Sequence, residues 1–356
     1  MACLLELAAA HATVFLFALV GAYYVLCLLR RFHPGCGMLI FSTPVLLLNF
    51  LLPVLFHRAT AGGSSEVTCL YVCLLSWLAN LKVLAMCGGR GPLPGCTRYW
   101  TCAAALLLPP CLSCPEHKLG AAGSQTAVPS SPLQSRLAHT ALHVAVLLVW
   151  GVTLNVFPGV ASSLLLMVVV YAQSSIPYNC MAAAAQLAAG LEVADVMRRP
   201  WRASSLTSFW QRWNLMAAYP LRWAIYEPIV DGPVAGKDHP EGRRRGPWRM
   251  LGVLATFVVN GLYHEYMLWV SAGHLTGEWL AFFVIMGLAV CGEDALKAVW
   301  RRHRLPTVPR LIPTMVTYAF LVGLAWWLFL PSYAAVGWAE TTARGLAPFM
   351  RVSAAS

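Results

Sequence analysis

Four stretches of this chain run without a single Asp, Glu, Lys or Arg: Leu7–Leu29, Phe32–His57, Leu137–Leu191 and Leu311–Ala339. About 20 such residues suffice for a helix to cross a bilayer, and each stretch is at least that long. Composition points the same way. Hydrophobic residues make up 59% of the 356 and charged residues 11%, whereas soluble domains carry roughly 25% charged residues. No soluble fold of this size has enough interior for that much apolar sequence. The chain is expected to be an all-α, polytopic integral membrane protein with about 8–10 transmembrane helices, each of the length that spans a bilayer. It forms a single membrane domain over residues 1–356. Candidate spans cover 8–29, 37–56, 67–87, 99–113, 138–158, 160–191, 250–272, 277–292 and 311–331. The first has Glu6 where a signal peptide would have a basic flank, so it reads as a retained span. The fourth is short enough to be re-entrant. The sixth carries Ser174, Ser175 and Pro177 and reads as two short helices or one kinked helix.

A net charge of +11 invites a nucleic-acid partner, but the placement of the charge excludes it. Arg30, Arg31, Arg90, Arg98, Arg198, Arg199, Arg243, Arg244, Arg245, Lys297, Arg301 and Arg302 all flank apolar segments. That is the positive-inside pattern, with anionic headgroups as the expected partner. With Arg30 and Arg31 in the cytosol, every later basic cluster also falls there, provided that an even number of crossings separates residues 99 and 197. Cysteines such as Cys27, Cys69, Cys73, Cys102 and Cys291 lie in apolar runs, where Cys acts as a small hydrophobe. Cys111, Cys114 and His117 form one suggestive cluster, but a fourth zinc ligand with similar spacing is not evident. No metal is expected.

Two segments carry chemistry. The first lies in 192–249, expected to be a cytosolic amphipathic segment. Here Phe209, Trp210, Trp213, Met216, Tyr219 and Trp223 recur at helical intervals, with Arg212, Asn214 and Arg222 between them. A helix capped by Ser204, Ser205 or Ser208 and bent or ended by Pro220 would lie in the membrane interface. A plain interfacial anchor accounts for the aromatic residues. It accounts less well for Asn214, a mediocre helix former whose amide is free to hold a substrate carbonyl or hydroxyl.

The second segment is FVVNGLYHEYMLWV, residues 257–270. An imidazole at membrane depth is costly and faces the protein interior or a wet cavity. Its unperturbed pKa of about 6.5 suits proton transfer. His264 sits about 21 Å along a helix begun near Met250. A packed, satisfied histidine is the structural alternative. Asn260 shares its face one turn back, while Glu265 points about 100° away, toward a basic or hydroxyl group on another helix. His139 and His143, at i and i+4 with no third ligand, are expected to pack in the interface.

Together SLTSFWQRWNLMAAYPLRWAIYEP and LATFVVNGLYHEYMLW resemble the wax synthase branch of the membrane-bound O-acyltransferases (MBOAT), whose motifs are of the types F-W-x-x-R-W-N-L-M and F-x-x-S-G-L-x-H-E. The likeness is specific over 204–294, the wax-synthase-like core, and generic elsewhere. It implies an MBOAT-like fold, His264 as catalytic base and Asn214 as its assistant. Phe209, Trp210, Arg212, Trp213 and Asn260 become substrate-binding candidates. The first motif is one residue shorter than the common plant form, and Asn260 stands where serine is expected, which leaves the acceptor open. The implied reaction is direct acyl transfer from acyl-CoA to a long-chain alcohol in a ternary complex, giving a wax ester. No cofactor is needed beyond acyl-CoA as co-substrate, and residence in the endoplasmic reticulum membrane is expected. A sterol or terpenoid acceptor, or an acetyl donor, is the neighbouring reading. A transporter or scaffold is the reading from another class. The arginines at 243–245 and 301–304 are candidates to hold CoA phosphates.

Overall fold

The computed structural model describes residues 2–59, 66–107, 131–156, 160–190, 193–235 and 246–336. Among them no strand occurs, and every candidate span is helical where it is described. The helices are α1 (Ala2–Arg31), α2 (Cys36–Ala59), α3 (Glu66–Cys87), α4 (Tyr99–Leu107), α5 (Leu133–Val156), α6 (Val160–Ala189), α7 (Leu206–Trp210), α8 (Leu215–Leu221), α9 (Glu227–Asp231), α10 (Pro247–Ala272), α11 (Glu278–Arg302), α12 (Leu311–Leu324) and α13 (Leu330–Ala335). A π-helical turn, Arg222–Tyr226, joins α8 to α9, and another, Ala325–Phe329, joins α12 to α13. Four rods, at Cys36–Arg58, Cys69–Cys87, Glu278–Arg302 and Leu311–Ala335, are long and apolar enough to cross a membrane by length and composition. The chain is an integral membrane protein. Cys111, Cys114, His117 and Arg243–Arg245 lie outside the described residues.

Neighbouring rods pair as antiparallel hairpins: α2 with α3, α5 with α6, α10 with α11. Helix α3 runs through the middle and touches α1, α2, α8 and α10. In its spanning window 61% is buried, against 17% for α2, although both are apolar on average. The difference lies in side chains that lipid would not solvate. Lys82 is buried in α3 and donates to the Leu106 carbonyl at 2.9 Å. Asn80 exchanges amide contacts with Asn49 at 3.0 Å and the Leu46 carbonyl at 3.0 Å. A polar group at membrane depth turns its helix inward.

Helix α4 is described over nine residues, Tyr99–Leu107. At the start of α5, Ser131 donates its N–H and hydroxyl to Asp195 at 3.2 and 2.7 Å. The start of α5 and the segment after α6 therefore lie at one end of the α5–α6 pair. Helix α6 is one continuous rod of 30 residues with Pro177 inside it.

Two expectations are corrected. Arg90 does not reach for headgroups. It is 7% exposed and donates to the carbonyls of Gly232 at 2.6 Å and Pro233 at 3.1 Å, with Glu227 3.7 Å away. Burying an arginine demands such partners, and here they tie the end of α3 to the end of α9. The second correction is the single amphipathic helix, which the structure breaks in two. His143 is buried and packs edge-on against Tyr171 at 5.2 Å.

Candidate active site

The α10–α11 hairpin positions His264. Two glycines let its helices approach closely: a Cβ on Gly261 would stand 3.0 Å from the Leu280 Cα, and one on Gly287 3.0 Å from the Phe257 Cβ. Gly273, at φ 75°, ends α10 in the left-handed region, where glycine is unstrained. The start of α11 leaves N–H groups without intrahelical partners. Glu265, 6% exposed, supplies the acceptors. Its Oε2 receives Thr276 and Gly277 N–H at 3.1 and 3.0 Å, and its Oε1 receives Trp279 and Leu280 N–H at 3.0 and 3.2 Å. The expectation of a basic or hydroxyl partner is overturned. A buried carboxylate is tolerated when hydrogen bonds and the positive end of a helix compensate it, and four backbone dipoles do so here.

One residue earlier, His264 turns toward α11. Its Nδ1 lies 2.7 Å from the Asn260 carbonyl oxygen. A carbonyl only accepts, so the neutral ring carries its proton on Nδ1 and a lone pair on Nε2. Among the described residues Nε2 has no hydrogen-bonding partner. The ring is walled by Phe283 at 4.5 Å, Trp279 at 5.5 Å and Phe329 at 6.2 Å between centroids. Trp279 is fully buried, stacks on Phe329 at 4.8 Å and donates its indole N–H to the Phe329 carbonyl at 2.9 Å. Phe329 closes the π-helical turn after α12, a distortion often found at functional sites.

The tryptophan-rich segment reaches this wall from the other side. Ser205 caps α7, its side chain accepting Ser208 N–H at 3.0 Å. Glu293 of α11 takes the Leu206 N–H at 2.6 Å. The helix stops at Trp210. Asn214 then adopts φ 43°, ψ 61° and caps α8, its Oδ1 accepting Ala217 N–H at 3.4 Å. The break is held by Leu215 N–H to the Val196 carbonyl at 2.8 Å and Arg198 N–H to the Arg212 carbonyl at 2.9 Å. Left-handed backbone is uncommon outside glycine, although asparagine tolerates it best. With α8 buried against α3 and α6, the segment is built into the body of the protein.

The expected site residues part company here. Trp210 touches Phe257 at 5.3 Å and Phe283 at 5.9 Å, one ring from His264. Phe209 is buried, stacks on Trp213 at 5.4 Å and meets Tyr318 at 6.3 Å. Trp213 also meets Tyr171 at 5.8 Å. Arg212 braces the loop through the Arg198 carbonyl at 3.4 Å. Asn260 meets the imidazole through its carbonyl and not its amide. No contact among the described residues joins Asn214 to His264. Tyr178 of α6 packs in one buried cluster with Leu215, Met216 and Ala217, the residues that follow Asn214.

Sequence reasoning missed Trp279, Phe283, Phe329 and Tyr178. Trp279 and Phe283 share a helix face by spacing, a signal that was available. Phe329 and Tyr178 come from distant helices and left none.

Residues 193–285 match the family model described as "Membrane bound O-acyl transferase family". The chain is 29% identical over 327 residues to "Acyl-CoA--sterol O-acyltransferase 1" of Arabidopsis thaliana, covering 88% of each chain. It is 27% identical over 338 residues to "Probable long-chain-alcohol O-fatty-acyltransferase 9" of the same plant, covering 93% of this chain and 92% of that one. It is 28% identical over 317 residues to "Long-chain-alcohol O-fatty-acyltransferase" of Simmondsia chinensis, covering 84% and 82%.

Proposed function

Because the chain belongs to the membrane-bound O-acyltransferase family, we propose that it transfers a fatty acyl group from acyl-CoA to the hydroxyl of a long-chain alcohol, forming a wax ester. One observation carries the chemistry: the tautomer of His264, with Nδ1–H spent on the Asn260 carbonyl and Nε2 open. In this reading Nε2 removes the alcohol proton as the oxygen attacks the thioester carbon, and then returns it to the departing CoA thiolate. General base catalysis of this kind contributes roughly 100- to 10,000-fold in rate. No serine or cysteine is hydrogen-bonded to His264 among the described residues, which favours direct transfer over an acyl-enzyme. The Phe283, Trp279 and Phe329 rings exclude water that would hydrolyse the thioester.

Asn214 anchors the polar side of the site. Trp210 seats Phe283 against the base. Phe209, Arg212 and Trp213 hold the loop that presents Asn214, and the amide of Asn260 faces the substrate one turn before His264. Acyl-CoA is the co-substrate and no cofactor is required. The acyl chain lies among the helices and the CoA phosphates stay in cytosolic water near Arg301 and Arg302. The protein resides in the endoplasmic reticulum, where acyl-CoA and long alcohols meet.

A sterol acceptor is the second reading, favoured by the sterol acyltransferase among the relatives. One assay separates the two. Membranes containing the chain receive labelled palmitoyl-CoA with a pool of fatty alcohols, sterols and diacylglycerol. Wax ester is expected as the main product, with the label lost from it in His264→Ala. Sterol ester as the main product would transfer the proposal to the second reading, and no ester at all would sink both.

A further inference from the structure

We propose that the Tyr263 hydroxyl donates a hydrogen bond to the thioester carbonyl oxygen, as a second catalytic group beside His264; this rests on the acyl-transfer reading above. Tyr263 is 5% exposed, and its ring stacks on Trp77 of α3 at 4.0 Å and 14°. Cys69, Cys73 and Val270 surround it. Its hydroxyl is buried and has no hydrogen-bonding partner among the described residues. An orphaned buried hydroxyl costs about 1–3 kcal/mol. Phenylalanine would keep the stack on Trp77 without that cost, so packing does not explain the oxygen.

Position supplies the explanation. The rings of Tyr263 and His264 lie 5.4 Å apart. The orphan donor thus stands beside the proposed base. Of the reacting atoms, the alcohol oxygen gives its own proton to Nε2 and needs an acceptor. The carbonyl oxygen needs a donor, because it gains negative charge as the new C–O bond forms and the π pair moves onto it. When the C=O bond reforms, the C–S bond breaks and the thiolate takes the proton from the imidazolium. The phenol keeps its proton throughout. Loss of one such donor typically lowers kcat about 100-fold or more.

The test is Tyr263→Phe in the full-length protein, purified in detergent, with kcat, KM for palmitoyl-CoA and thermal midpoint measured beside wild type. The expected result is a fall in kcat of about 100-fold, with KM nearly unchanged and a midpoint equal or higher. Wild type that forms ester together with a variant of equal kcat would overturn the role of Tyr263 alone. A kcat loss accompanied by a matching loss of midpoint would assign the hydroxyl to folding and overturn it too. No ester from wild type would overturn the acyl-transfer reading, and this role with it.

Discussion

At the turn of the α10–α11 hairpin, one buried carboxylate, Glu265, takes four backbone N–H groups and has no ion-pair partner among the described residues. At the open end, Glu293 takes two, Leu206 and Thr207, and pairs with Lys297, while Arg249 and Asp294 meet at 2.8 Å with side chains 59% and 32% exposed. The two ends do the same mechanical task under different dielectric conditions. Near water a charge pair is cheap to form and weak. In the dry interior an ion pair gains little net of desolvation, and fixed peptide dipoles replace it. The end where the carboxylate is buried is also the end that carries His264.

Five substitutions, the last two combined, sharpen or break this contrast. The largest effect is expected from His264→Ala, which should lower ester formation about 100- to 10,000-fold while shifting the thermal midpoint little; equal activity at matched expression would remove His264 from the mechanism. Glu265→Ala comes next. It orphans four N–H groups, each worth about 1 kcal/mol or more, and a loss of several kcal/mol should show as poor expression or a lowered midpoint, with activity lost alongside. Glu293→Ala should cost about 1–2 kcal/mol through the lost cap of α7, leaving the His264 wall intact. If Glu293→Ala proves the more damaging of the two, the contrast between the ends is wrong. The smallest effect belongs to Arg249→Ala with Asp294→Ala, whose double-mutant coupling should not exceed about 1 kcal/mol.

The helical membrane character was legible in the sequence, because charge-free length is a property of residues in a row. The partners of Glu265 were not, since backbone N–H groups carry no side-chain identity to read. The break at Asn214 was hidden for a different reason. The tryptophans and phenylalanine around it keep helical intervals, while the four residues Gln211 to Asn214 leave the helix and Asn214 turns left-handed. Arg90 looked like a headgroup anchor because flanking position was the sole evidence, and the carbonyls that bury it lie more than 140 residues away.

The bond from His264 Nδ1 to the Asn260 carbonyl has a bioenergetic consequence. A carbonyl cannot pass a proton onward, so in the proposed reaction both proton transfers use the same nitrogen, Nε2. The imidazole is then a shuttle with one door, and among the described residues no hydrogen-bonded wire leads from it. Turnover would move no net charge across the membrane, and its rate should be indifferent to an imposed transmembrane voltage.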